Sequence, residues 1–360
     1  MKNTYKLFGF GIIAGLITMA LAIAGNPTNM AICIACFVRD IAGSMKYHTA
    51  PVVQYFRPEI VGLVLGAFFL SLYKKEFRAT GGSSPAIRFF LGVAMMIGAL
   101  IFLGCPTRMI IRMAAGDISA YVGFVGFILG VATGAFFLKK GFSLGRSYPV
   151  RQESGAFFPV IFGLIFLMSV LVPSSFAWSE AGPGSIHAPM IISLVAGLAF
   201  GALAYHSRMC FAGGFRDVIL MKNFDLFAIL LGIFLVMFGY NVVTNNFAFS
   251  AFGPVAHAQT LWNILGLYIV GFAAVLLGGC PARQLILAGQ GSADSVVTVL
   301  GMLLGAASAH NFGLASTAAA KATADAPAAL GGPGPAGQIA ALVSIAFLFI
   351  VAFTGIKKQA

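Results

Sequence analysis

The sequence predicts an all-α polytopic membrane protein of about ten helices, in two inverted repeats with four re-entrant half-helices. Composition is the first observation: of 360 residues, 59% are hydrophobic and 9% charged, against roughly 25% charged in a soluble domain. Apolar runs of about twenty residues recur along the chain, long enough to cross a bilayer as helix, and the alternation of an outer-membrane strand is missing. Repetition is the second. Cys33 and Cys210, Arg39 and Arg216, and Asp40 and Asp217 share an offset of 177. Cys105 and Cys280, Arg108 and Arg283, Gly126 and Gly301, and Gly130 and Gly305 share one of 175. About five spans per copy is an odd number, so residues 176–360 enter the membrane upside down relative to residues 1–175.

Loop charge is the third. With the N-terminus in the cytoplasm, Lys74, Lys75, Arg78, Arg88, Lys139, Lys140, Arg146, Arg151, Lys222, Lys357 and Lys358 fall inside. The opposite loops hold Lys46, Arg57 and Lys321. That asymmetry follows the positive-inside rule and predicts both termini in the cytoplasm. The net charge of +12 thus lies in short loops, with no basic face of a soluble module to hold nucleic acid.

Taken in order, the first apolar run is a retained transmembrane helix, although its Lys2 and Lys6 imitate a signal peptide. Its Ile13-Ala14-Gly15-Leu16 is echoed by Val195-Ala196-Gly197-Leu198 inside the chain. Residues 26–41 are too short and too polar to span and predict a re-entrant loop with a half-helix. Spans follow near 58–73, 89–104, 118–138 and 157–173, the last after a basic linker. The second half repeats this near 188–205, 224–242, 262–279, 293–309 and 339–355, with a cysteine-bearing segment at 207–219. Ala315–Gly337, rich in Ala, Gly and Pro, predicts a flexible loop outside the core.

Gly104-Cys105-Pro106-Thr107-Arg108 and Gly279-Cys280-Pro281-Ala282-Arg283 each read as the start of a helix. Proline suits the first helical position, where a missing N–H costs nothing. The cysteine then caps a positively biased helix end, a place that binds anions and activates thiols. The arginine adds charge, and the glycine permits a sharp turn with room for a ligand.

These elements assign a substrate path to Cys33, Cys105, Cys210 and Cys280 with Arg39, Arg108, Arg216 and Arg283, where four half-helices converge. Charges at bilayer depth are expensive, and gathering them in the re-entrant elements suits an anion. Asp40 and Asp217 directly follow an arginine and so point away from it on a helix, which predicts arginine partners elsewhere. With Arg208 and Cys36 they form a modulatory set. Cys36 has no counterpart, Gly213 standing in its place, and packing is equally open to it. The arginine–aspartate elements could also serve as structural ion pairs bracing the hairpins. Gly126-x-x-x-Gly130 and Gly301-x-x-x-Gly305 read as close helix packing. His206 sits near an entrance; His48, His187, His257 and His310 read as ordinary loop or helix-end residues. Cys33-x-x-Cys36 lacks the second pair that a structural zinc needs, and no nucleotide-binding loop is present. No catalytic residue, metal or other cofactor is expected.

Through the paired cysteine segments and the two Gly-Cys-Pro-x-Arg elements, the chain resembles the YeeE/YedE sulphur-transport family over nearly its full length. The resemblance implies two inverted halves whose cysteines pass a sulfur substrate between thiols. More narrowly, Cys33–Gly43 and Phe142–Ser147 resemble the YedE-related branch linked to selenium metabolism, regarded as selenium transporters. This implies uptake of a small selenium- or sulfur-containing anion across the bacterial inner membrane, with the lipid bilayer and a cytoplasmic sulfur- or selenium-carrier protein as partners. A soft thiol suits such a polarisable ion. The alternatives are a thiosulfate or sulfur transporter proper, and a membrane thiol oxidoreductase using Cys33 and Cys36.

Overall fold

A computed structural model describes residues 2–320 and 328–356. Lys321, Lys357 and Lys358 of the loop-charge argument lie outside the described residues. Among those described, nine helices are long and apolar enough to cross a membrane, and a tenth apolar helix, Pro58–Tyr73, is shorter. The chain is an all-α, multi-pass membrane protein.

The spanning helices are α1 (Lys2–Ile23), α3 (Pro58–Tyr73), α4 (Pro85–Phe102), α6 (Ile118–Lys139) and α7 (Gln152–Leu171), then α8 (Met190–His206), α10 (Asp225–Val243), α11 (Thr260–Leu276), α13 (Ala293–Asn311) and α14 (Pro335–Thr354). Between them lie four short helices, α2 (Ile34–Ser44), α5 (Pro106–Met113), α9 (Phe211–Met221) and α12 (Pro281–Gly289). With 8 to 11 residues each, they rise about 12–17 Å, roughly half of a bilayer's hydrocarbon core. The apolar runs therefore appear where hydropathy puts them.

Packing is crosswise. α3 lies against α8 and α1 against α10, while α6 lies against α11 and α4 against α13. Glycines make these crossings close. Gly126 and Gly130 of α6 meet the backbone of Ile264 and Tyr268, and Gly301 of α13 meets Phe89. Gly201 of α8 rests on the Leu63 carbonyl. A methyl group at any of these positions would overlap a carbonyl oxygen of the facing helix. In lipid, where burying apolar surface gives little association energy, such backbone contact is what holds helices together.

The helix ends sort into two faces. On one, the start of α1 meets the start of α10 through Thr4 and Asp225, and Lys74 meets His206. Two-residue strands β1 (Thr80–Gly81) and β2 (Tyr148–Pro149) pair there antiparallel. Asp294 receives the backbone N–H groups of Gly82 and Ser83 and the Ser147 hydroxyl. This face carries the basic loops around Lys74, Arg78, Lys139 and Arg146. On the opposite face Asn26 bonds to Ala188, and Asp117 pairs with Ser250.

Two expectations are corrected here. Arg57 is no exterior loop charge; it is fully buried, bonded to Asp40 at 2.8 Å, and its guanidinium covers the Phe37 ring. The alanine- and glycine-rich loop is anchored at its base, since the buried Ser316 bonds to Leu100 and Ile101, and Thr317 pairs with Gly332. The free carbonyls at the end of α4 supply the acceptors.

Candidate functional site

All four repeat-related cysteines cap the four short helices. Cys33 caps α2, Cys105 α5, Cys210 α9 and Cys280 α12, each with an extended backbone. Pro106 and Pro281 open their helices as the sequence predicts. The other two caps carry no proline, so composition gave no signal. There the thiolate or thiol sulfur itself accepts a backbone bond, Cys33 from the Cys36 N–H at 3.4 Å and Cys210 from the Gly213 N–H at 3.2 Å. The spacing cysteine-x-x-cysteine or cysteine-x-x-glycine is the footprint of a cap bonding to the third helical N–H.

The thiols come in pairs. The Cys33 and Cys105 sulfurs lie 3.9 Å apart, and Cys210 and Cys280 interact side chain to side chain. All five cysteines are free and buried. Cys36 adjoins the first pair, with its sulfur 3.6 Å from an Arg108 guanidinium nitrogen.

The turn before each Gly-Cys-Pro differs from the expectation. The left-handed residues are Leu103 (φ 61°) and Gly278 (φ 78°), one position ahead of Gly104 and Gly279. Gly104 and Gly279 are small for another reason. A methyl there would strike the Arg108 and Arg283 side chains, which fold back over the turn. The room is filled by the arginine itself.

The two arginines then diverge. Arg108 is fully buried and donates to the carbonyls of Asn29, Leu103, Pro254 and Val255. It clamps the re-entrant segment to the loop before α11. Arg283 has a buried guanidinium nitrogen without a hydrogen-bond partner among the described residues. It borders a cavity of about 590 Å³ shared with Arg208, Arg216, Asp217 and Cys210. It also borders a neighbouring cavity of about 510 Å³ with Lys74, Arg78, His206 and Arg208. A wide basic vestibule thus opens on the basic face and reaches Cys210. On the other face a cavity of about 410 Å³ includes Arg39, Leu103 and His310.

Asp40 finds an arginine elsewhere as expected, in Arg57, but both aspartates also bond to the arginine beside them. Asp40 bonds to its own neighbour Arg39 at 2.7 Å as well as to Arg57, and Asp217 bonds to Arg216 at 2.8 Å. Consecutive helical positions diverge at Cβ, but an arginine chain is long enough to curl back. Arg112 is a further brace that joins α5 to Asp117 at 2.7 Å.

The histidines also differ from their plain reading. His48 donates from Nε2 to the Arg39 carbonyl and packs tilted against His310, 4.6 Å between centroids. His257 is buried against the Ile101 carbonyl. Burial in that loop lowers its pKa to about 4, which keeps it neutral. His206 does sit at the basic vestibule. Among the described residues no cluster of three or more His, Cys, Asp or Glu is arranged to hold a metal ion.

Residues 206–360 match the model of the family described as Sulphur transport. The chain is 31% identical over 137 residues to the thiosulfate transporter TsuA of Escherichia coli (strain K12), covering 36% of this chain and 37% of that relative. It is 29% identical over 116 residues to TsuA of Spirochaeta thermophila, covering 31% and 34%. The matched segments thus span about a third of each relative. Both relatives are transporters by name. These matches make the chain similar, over part of its length, to sulphur-transport proteins.

Proposed function

We propose that the protein takes up a small, soft selenium- or sulfur-containing anion across the bacterial inner membrane. The path runs past Cys33 and Cys105, then Cys210 and Cys280, with Arg39, Arg108, Arg216 and Arg283 supplying positive charge. The observation that carries this reading is the capping of four half-helices by four free thiols in two pairs. Each sulfur stands where a helix N-terminus favours an anion, and a soft donor strips water from a polarisable ion at little cost.

The halves 1–175 and 176–360 are inverted copies in this reading, with both termini and the basic vestibule in the cytoplasm. Crosswise packing supports it: exchanging α1–α7 for α8–α14 turns the α3–α8 crossing into α10–α1, and α6–α11 into α13–α4. The vestibule that reaches Cys210 suits delivery to a cytoplasmic sulfur- or selenium-carrier protein. The relatives' printed substrate favours thiosulfate as the second candidate ion.

Uptake of labelled thiosulfate and labelled selenite into oriented vesicles, measured side by side, tests the proposal. We predict saturable uptake of at least one, lost when Cys105 and Cys280 are replaced together by Ala. Equal uptake by vesicles with and without the protein would refute transport. A Cys33–Cys36 disulfide that turns over with quinone would favour the oxidoreductase.

A further inference from the structure

A groove between α7 and α13 belongs to no part of the cysteine–arginine path. The two helices start together at the basic face, where Gly155 meets the backbone of Gly291 just ahead of α13. Beyond that contact a cavity of about 680 Å³ opens between them, bordered at its far end by Met45 and Tyr47 from the turn after α2. Phe158 and Phe162 of α7 stack 5.5 Å apart on one side. Leu300 and Leu304 of α13 stand exposed on the other. Along α13 the groove runs from Val296 to Asn311, about 22 Å of helix rise, within the ~30 Å of a bilayer's hydrocarbon core. α7 itself finds little to pack on, since only Gly155, Pro159, Phe162 and Ser169 of its twenty residues are buried.

An apolar groove at this depth is a poor place for water, because its walls offer a water molecule too few polar partners. Left empty, it would forfeit dispersion contact along both walls. Hydrocarbon is the neighbour at hand, and the exposed leucines open the groove to it.

The polar groups say which hydrocarbon. The polar members of the lining are Tyr47, Ser308 and Asn311, gathered toward the end opposite the basic loops. Asn311 Nδ2 donates to the Tyr47 carbonyl at 2.9 Å, tying the end of α13 to the turn after α2. Between Met45 and Tyr47 stands Lys46, exposed and in the left-handed region (φ 64°). Among the described residues Lys46 makes no ion pair. The arginines toward that face, Arg39, Arg57 and Arg112, are buried. A long apolar slot with one exposed cation at its polar end matches an amphiphile with a long chain and an anionic head.

We propose that the groove binds one anionic phospholipid, with an acyl chain between α7 and α13 and the phosphate at Lys46. The chain supplies packing that α7 does not find within the protein. Such a site is independent of what the protein transports.

Native mass spectrometry of the full-length protein in detergent, titrated with phosphatidylglycerol or with phosphatidylcholine of the same acyl chains, tests this. One tightly bound phosphatidylglycerol per chain is expected, with the net-neutral phosphatidylcholine about fivefold weaker, the effect of one lysine on one anionic head. Lys46→Gln is expected to bring the two lipids to equal affinity. Ser308→Trp, which puts a ring into the groove, is expected to abolish tight binding of both. Leu300→Trp fills the same groove from a lipid-facing position and serves where Ser308→Trp does not assemble. Leu235→Trp, on an exposed position of α10, is the control and should bind lipid as the wild type does. Tight binding that survives both groove-filling tryptophans overturns the site, and so does a lipid preference unchanged by Lys46→Gln. A lipid-free dimer that either groove-filling tryptophan splits into monomers also overturns it, and assigns the groove to a second copy of the chain.

Discussion

Arg108 and Arg283 stand three residues past equivalent cysteines, yet their surroundings give them different work. Arg108 serves four backbone carbonyls; lysine has three donors and no planar fork. We predict that Arg108→Lys leaves at least one buried carbonyl unpaired, lowers stability by about 1–3 kcal/mol and shows it as a lower melting temperature in detergent. Arg283→Lys is predicted to melt normally and to weaken uptake about tenfold, or ~1.4 kcal/mol; unchanged uptake would leave Arg283 without a role at the vestibule. For the thiols, Cys105→Ala and Cys280→Ala are each expected to insert normally, at a cost of about 1 kcal/mol, and to lose most uptake. Serine at the same positions keeps a donor and hardens the atom, so poor uptake by the Ser variants is expected as well. Full activity with Ser at both would mean that any donor suffices. The sequence made the proline-opened caps legible because Pro after Cys fixes a helix start. It hid the difference between the two arginines, since that depends on whether Pro254 and Val255, far along the chain, fold over the guanidinium.

At the scale of the element, spans were legible to within about five residues, because hydropathy acts locally; α3 and α6 begin where their apolar runs begin, whereas α4 and α7 start four and five residues earlier than theirs. Side-chain pairing was not. Asp40 reaches both Arg39 and Arg57, and no spacing rule foretells a partner supplied by a loop that folds back into the core. His48 and His310 read as ordinary in sequence and meet only because the end of α13 is carried to the loop after α2. The glycine pairs were read correctly as packing devices, and the crossings let their weight be tested. Gly201→Ala would drive a methyl into the Leu63 carbonyl, and Gly126→Ala into that of Ile264. We predict that each separates its helix pair at a cost of about 1–3 kcal/mol, read as a lower detergent melting temperature. Gly239, which has open space around it, is the control: Gly239→Ala should melt as the wild type does or slightly higher.

For the whole molecule, the gathering of Lys74, Arg78, Lys139 and Arg146 on one face predicts orientation. Reporter fusions after Lys140 and at Lys358 are both expected to report the cytoplasm; opposite reports would end the inverted arrangement. The crosswise helix pairs carry a further consequence, for how the protein is made. The close glycine crossings described above join one half of the sequence to the other: α3 waits for α8, α1 for α10, α4 for α13 and α6 for α11. The ribosome therefore delivers the first 175 residues long before the surfaces they must grip exist. During that interval polar groups such as Glu59 and Arg57 face lipid or neighbouring helices without their later partners. A nascent chain in this condition is a target for insertion chaperones and membrane proteases, and one stopped near residue 175 should be degraded. Co-expressed as two polypeptides, 1–175 and 176–360 are predicted each to rescue the other from turnover.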